Sequence, residues 1–254
     1  VEQAFKAIKQ AVESGRIPMS RIEASDRRIL EAKDKLGLNR ERLPDLSKLD
    51  HVLGSREHVQ TAQQMIESAV TLVRNQNDML PLKLAPDSKV LLVVMLDNNE
   101  GWGGPPPGSR FESDLLARHA NTTTVFVSDK TSPAEYSLIR KLAGLSDAII
   151  TCGFIRISAF KGSVGMPEEE VEMLRYLSET KKPLAFISFG SPYIISHVPE
   201  VPTCVLTYEY YEGAEQAALK AVLGDIPFKG RLPVELPGMY PLGYSYHSAQ
   251  TPER

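Results

Sequence analysis

Apolar residues recur at helical spacing near the start of the chain. Val1, Phe5, Ile8 and Val12 line one face of a predicted helix, which Gly15 ends. This apolar stripe needs a cover, since burying one such side chain is worth about 1.5–3 kcal/mol. We therefore expect the first helix to pack against a second copy of the chain or to fold back onto the rest of it.

Two further helices are predicted before residue 75. The second begins at Ser20, with Glu23 completing a capping box, and ends before Gly37. Residues 38–54 are polar and are typical of a linker. A third helix is expected to run from Ser55 to about Arg74.

From residue 80 onward, short apolar runs alternate with amphipathic helices. Strands are predicted at 89–96, 123–128, 147–152, 184–188 and 203–207. Helices are predicted at 111–119, 133–142, 167–177, 192–196 and 212–223. Runs within these strands, such as 90–94 and 148–150, do not alternate polar with apolar residues, which is typical of strands covered on both faces. The pattern predicts an α/β fold: a doubly wound, mostly parallel sheet sandwiched between helices, preceded by a short all-helical segment.

Composition narrows the class of protein. The 254 residues are 42% hydrophobic and 24% charged, with a formal net charge of −3, so neither disorder nor a basic nucleic-acid-binding surface is indicated. The longest apolar run is strand-sized, so no membrane span is expected. Cys152 and Cys204 lie in strand-like runs and are interpreted as buried structural thiols.

Three loops follow predicted strands, and ligands bind beyond the carboxyl ends of such strands. The first loop, 97–109, is glycine-rich but contains three consecutive prolines, which lack the N–H groups of a phosphate cradle. The second, 153–165, carries Arg156, Phe160 and Lys161. These side chains suit a sugar or an anion, although an ordinary solvated loop is the alternative. The acidic run after it, at 168–170, is interpreted as complementing a helix dipole.

The third loop places Glu209 and Glu212 among tyrosines. Two carboxylates there could perform acid–base chemistry, and an equally good interpretation makes Glu212 the start of a helix. The five histidines are scattered, so neither a metal site nor another cofactor is indicated. The residues alone identify no catalytic group.

Several stretches, taken in order, resemble family 3 glycoside hydrolases. Residues 15–37 are similar to the closing helix of that family's barrel domain, and residues 68–75 with Leu80-Pro81-Leu82 resemble the entry to its second, α/β sandwich domain. The tail Gly230-Arg231-Leu232-Pro233, continuing to Tyr244, resembles the end of the sandwich domain. Residues 154–167 and 188–193 most resemble the β-N-acetylhexosaminidase branch.

The resemblance implies a divided enzyme. Residues 1–50 would be the last helices of a (β/α)8 barrel plus a linker, 51–246 the sandwich domain, and 247–254 a tail. In this family the nucleophilic aspartate lies on the barrel. The loop that carries the acid/base glutamate in the β-glucosidase branch has no Asp or Glu here between Gly153 and Met166. The hexosaminidase branch uses a barrel His–Asp pair instead, so every catalytic residue would lie outside this chain.

The implied function is the second domain of a retaining enzyme that removes terminal β-N-acetylhexosamine. This domain would be inactive without its barrel, because two groups must flank one bond. Arg156, Phe160 and Lys161 would line the carbohydrate pocket. The alternative is a non-catalytic flavodoxin-like module that binds a ligand or partner, and a purely structural role beside the barrel stays open.

Overall fold

A computed structural model describes residues 1–97, 104–155 and 165–246, apart from the side chain of Asp50. The chain forms two compact units, Val1–Arg56 and Glu57–Arg254. The predicted site residues Arg156, Phe160 and Lys161 lie outside the described residues. In the part of the chain that the structure describes, no helix combines the length and apolar character that membrane crossing requires.

The first unit is helical. It contains α1 (Glu2–Glu13), α2 (Met19–Lys35), a 3-10 turn (Leu46–Lys48) and the short α3 (Leu49–Val52). The predicted capping box at Ser20 is wrong, because α2 already begins at Met19 after the extended Pro18, and no side chain caps it. Gly37 does follow the end of α2 with a φ of 72°, as predicted.

The third helix is shorter than predicted. α4 ends at Ala69, and Thr71–Asn75 forms strand β1 instead of a further helical turn. β1 pairs antiparallel with the last strand, Thr71 opposite Leu206 and Asn75 opposite Thr203. The apolar residues of this segment fit either period, and pairing with a distant strand decides between them.

The remaining strands form the predicted parallel sheet. They are β2 (Val90–Leu96), β3 (Thr122–Val127), β4 (Ala148–Ile155), β5 (Leu184–Gly190) and β6 (Thr203–Leu206). Within the described residues the sheet has six strands in the order β1-β6-β5-β4-β2-β3, and only the pairing of β1 is antiparallel. The predicted α/β fold, with a helical segment before it, is confirmed.

Helices cover both faces of this sheet. They are α5 (Ser109–Arg118), α6 (Pro133–Leu145), α7 (Glu168–Glu179) and α8 (Glu212–Leu223), with a 3-10 turn at Pro192–His197. One buried cluster joins the sheet to α5 and α8, and the other joins it to α6, α7 and residues 232–244. Because both faces are covered, β2, β4 and β6 are buried at every position.

The strand order creates a switch point between β2 and β4. From β2 the chain moves outward to the edge strand β3, then crosses back to β4 and continues through β5 to β6. β2 and β4 are neighbours, with Leu96 opposite Phe154 at their carboxyl ends. Ligands of doubly wound sheets bind outside such a point, so a binding site is expected at this edge.

Both cysteines are buried strand residues, as predicted. Cys152 and Cys204 are fully shielded from solvent. Burial raises the pKa of the Cys152 thiol well above its ordinary value, and it raises the pKa of Cys204 to about 12. A thiol in that state forms little thiolate at neutral pH, which fits a packing role.

Candidate functional site

The loops singled out in the sequence all leave the carboxyl edge of the sheet. The first follows β2, the second follows β4, and the third follows β6. Residues 98–103 of the first loop lie outside the described residues. So does 156–164 of the second, which includes all three predicted carbohydrate-binding side chains, Arg156, Phe160 and Lys161. Their role therefore stays a prediction, and the described site is built from the other segments.

The third loop reaches back across the sheet toward β4. Tyr210 lies over the end of β5, where a Cβ on Gly190 would be 3.3 Å from its ring and 3.6 Å from the carbonyl oxygen of Ile155. Tyr208, two residues earlier, has a φ of 63°, an uncommon conformation for an aromatic residue that turns the chain after β6. This turn places Tyr210 over the carboxyl end of β5, the strand that pairs with β4.

A pocket opens between the first and third loops. It encloses about 450 Å³ and is bounded by the proline segment, the start of α5 and the start of α8. Its lining consists of Gly104, Pro105, Pro106, Pro107, Ser109, Arg110, Tyr210, Tyr211, Glu212 and Glu215. We refer to this cavity as the edge pocket.

Gly108 brings the loop wall of the edge pocket down onto the sheet. It precedes α5 with a φ of 87°, and a Cβ there would lie 2.6 Å from Cγ1 of Val94. Only glycine fits this position, since both the backbone conformation and the space exclude a side chain. As the N-cap of α5, Gly108 also has no side chain with which to cap the helix.

Glu215 supplies that cap from α8. Its Oε1 accepts the N–H of Gly108 at 3.0 Å, and its Oε2 accepts the N–H of Phe111 at 2.8 Å. Only 3% of the residue is exposed. Burial raises the pKa of Glu215 above its ordinary value, while the hydrogen bonds from Gly108 and Phe111 act in the opposite direction. Both oxygens of the Glu215 carboxylate thus bind backbone N–H groups at the start of α5.

Sequence reasoning missed Glu215, although a signal was present. In α8 the residue shares the buried helical face with Ala218, Leu219 and Val222. A carboxylate on the apolar face of a helix requires a hydrogen-bonding partner, because burying it alone is costly. The partners are Gly108 and Phe111 at the start of α5, about a hundred residues earlier in the chain. Nothing in the local sequence around Glu215 indicates this pairing.

The other acidic candidates have local structural roles. Glu209 accepts the N–H of Tyr210 at 2.8 Å, and Glu212 is the first residue of α8, as one of the two interpretations predicted. Glu168, Glu169 and Glu170 lie in the first turn of α7, where negative charge complements the helix dipole. Among the described residues, no group of three or more His, Cys, Asp or Glu side chains is placed to hold a metal ion.

The accessible chemistry of the edge pocket suits recognition more than bond breaking. Tyr211 is 68% exposed and offers an aromatic face. Arg110 donates Nε–H to Asp114 at 2.9 Å, so its charge is paired within α5. Each oxygen of Glu215 accepts an N–H from the start of α5, so the carboxylate faces the helix backbone.

Several known proteins that resemble this chain are named as glycosidases. No family model matches the chain. A β-N-acetylglucosaminidase/β-glucosidase of Cellulomonas fimi is 27% identical over 248 residues, covering 92% of this chain and 42% of that protein. A lysosomal β-glucosidase of Dictyostelium discoideum is 26% identical over 264 residues, covering 91% of this chain and 32% of that protein. The chain thus spans less than half the length of these relatives.

Solved structures show the same fold. A family 3 β-N-acetylglucosaminidase from Paenibacillus has a TM-score of 0.67 at 23% identity, covering 92% of this chain and 43% of that one. A β-glucoside phosphorylase has a TM-score of 0.66 at 22% identity, covering 91% and 41%. The predicted resemblance to the C-terminal α/β domain of family 3 glycoside hydrolases is confirmed by these comparisons.

Proposed function

On the premise of this resemblance, we propose that the chain is the second domain of a glycosidase that removes terminal β-N-acetylhexosamine with retention. The observation that carries the proposal is the alignment of over nine-tenths of the chain with part of a larger β-N-acetylglucosaminidase/β-glucosidase. In this proposal residues 1–50 are the end of a barrel domain and a linker, residues 51–246 the sandwich domain, and residues 247–254 a tail.

We propose that the domain is inactive without the barrel. A retaining glycosidase places two catalytic groups about 5 Å apart across the scissile bond. Between Gly153 and Met166 the sequence has no Asp or Glu. The buried carboxylate of the edge pocket, Glu215, is occupied by the N–H groups of Gly108 and Phe111. These features support a domain that shapes a carbohydrate site without supplying its nucleophile or acid.

Arg156, Phe160 and Lys161 remain our proposed pocket-lining residues. They follow β4, whose last residue, Ile155, is at the carboxyl edge beside the switch point. Arginine and lysine donate hydrogen bonds to sugar hydroxyl or carbonyl oxygens, and an aromatic ring stacks on the apolar face of a pyranose.

The test compares the 254-residue chain with a polypeptide that also includes the upstream barrel. We expect cleavage of an aryl β-N-acetylglucosaminide only when the barrel is present. An aryl β-glucoside assayed in parallel distinguishes the two activities named in the C. fimi relative. Turnover by the chain alone would refute the proposal.

Within the barrel-containing protein, Arg156→Ala and Lys161→Ala should each lower kcat/KM about tenfold, because each removes a hydrogen-bonding contact worth about 1–2 kcal/mol. Lys181→Ala, three residues before the amino end of β5 and so at the opposite edge of the sheet from the loop after β4, serves as the matched control. Unchanged kcat/KM in both Arg156→Ala and Lys161→Ala would remove these residues from the pocket.

We also propose self-association through α1. Phe5 is 67% exposed and Ile8 is 52% exposed, and they lie on the same helical face. Apolar residues grouped in this way are typical of a contact surface. Phe5→Glu should shift the chain toward monomer in sedimentation equilibrium, whereas Gln10→Glu, on the opposite face of α1, should not. A wild-type chain that stays monomeric at every concentration would contradict this.

A further inference from the structure

The start of α5 has the position at which many doubly wound proteins bind phosphate. α5 is the helix that follows β2, the first strand of the parallel sheet, and it begins beside the switch point. The free N–H groups and the dipole of such a helix attract an anion. Its N-cap, Gly108, provides no side chain to satisfy those donors.

In this protein the donors are already taken by an internal anion. Both oxygens of Glu215 are engaged, Oε1 by Gly108 and Oε2 by Phe111. The residue is 97% removed from solvent, yet it also lines the edge pocket. The carboxylate therefore stands between the pocket and the donors that a phosphate would need.

We infer that Glu215 is a specificity-determining residue: by occupying the amide donors of α5, it excludes phosphate and related anions from the edge pocket, which accepts neutral polyhydroxylated ligands. The exclusion of anions rests on the geometry of Glu215 alone. The neutral ligand class rests on the proposed glycosidase function.

The residues around Glu215 also disfavour anions in the edge pocket. Glu212 adds a second carboxylate to the pocket wall, one turn before Glu215 in α8. The cation of the pocket, Arg110, is paired with Asp114 at 2.9 Å. The exposed ring of Tyr211 offers an apolar face, to which a sugar ring binds without any charge.

The inference is tested by replacing Glu215, which releases the N–H groups of Gly108 and Phe111. Thermal unfolding of the 254-residue chain and of its Glu215→Ala variant is measured in inorganic phosphate and in sodium chloride of matched ionic strength. We expect phosphate to stabilise Glu215→Ala specifically, with an affinity at least about tenfold above that of the wild-type chain. Glu212→Gln is the matched control, because it removes a charge from the same pocket without releasing the donors.

The outcomes separate the inference from its alternatives. A phosphate response as large in the wild type or in Glu212→Gln as in Glu215→Ala would overturn it, as would no response in a folded Glu215→Ala. If Glu215→Ala is unfolded in chloride, recovery of its fold in phosphate supports the inference. If it stays unfolded in both salts, Glu215→Gln, which retains one acceptor oxygen, must show the phosphate response.

Glu215→Asp should bind phosphate less well than Glu215→Ala, because its carboxylate can still accept N–H groups of α5. Glycosidase assays do not enter this test, so failure of the proposed function would be seen separately.

Discussion

Gly230→Ala is expected to lower the free energy of unfolding by about 3 kcal/mol or more. A Cβ at this position would lie 2.2 Å from the carbonyl oxygen of Ala69 and 2.2 Å from Oγ1 of Thr71. Both obstacles belong to the chain entering β1, and one of them is backbone, so no side-chain rotation relieves the overlap. The N–H of Gly230 also donates to the carbonyl oxygen of Val70 at 3.0 Å, a bond that any displacement would break.

The consequence extends into the C-terminal segment. Leu232 and Leu236, two and six residues after Gly230, are buried in the cluster that includes α6 and α7. Moving the chain at Gly230 displaces these anchors. Gly144→Ala is the matched control, since a Cβ there meets nothing within 4 Å and alanine favours the helix α6. Chemical denaturation should show a large loss for Gly230→Ala and none for Gly144→Ala; equal midpoints would contradict the close approach at Gly230.

Arg74→Met is expected to cost about 2–4 kcal/mol of folding free energy. Arg74 lies on β1 with 8% exposure, and its Nη1–H groups donate to the carbonyl oxygens of Val198 at 3.1 Å and Val201 at 2.5 Å. Its Nε–H donates to the hydroxyl of Tyr240 at 3.1 Å. One guanidinium thus joins an edge strand, the loop before β6 and the C-terminal segment. Methionine preserves the bulk of the side chain, but it leaves these acceptors without their donor.

Two further variants identify the cause of the loss. Arg74→Lys retains the charge but has fewer donors, and its stability should lie between those of the wild type and Arg74→Met. Tyr240→Phe removes one acceptor and should cost about 1 kcal/mol. The measurement is equilibrium unfolding in denaturant. Stability of Arg74→Met within about 0.5 kcal/mol of the wild type would show that the network contributes little.

The local pattern of apolar and polar residues predicted most of the secondary structure. The predicted bounds of α8 agree with those observed, Glu212–Leu223, and the predicted strands begin within one residue of β2 to β6. These elements have continuous apolar runs or a clear helical period, and each is ended by nearby polar residues. The resemblance to glycoside hydrolases was likewise available, because it depends on the order of short motifs along the chain.

The errors arose where local pattern allowed more than one structure. The segment Thr71–Asn75 was predicted as helix, and its pairing with β6 makes it a strand. Ser20 fitted a capping box, but α2 had already begun at Met19. A distant strand decides the first case, and the extended conformation of Pro18, two residues before Ser20, decides the second.

The sequence by itself determined the α/β class, the alternation of strands and helices, and the burial of both cysteines, because these follow from which residues are apolar and how they are spaced. Only the tertiary structure decided that Glu215 caps α5, that Arg74 joins three segments, and that Gly230 lies against the entry to β1. Each of these depends on a buried polar group or a close backbone approach between residues roughly a hundred or more positions apart. The packing of the helical layers on the sheet determines these partners, so the local spacing of residues does not predict them.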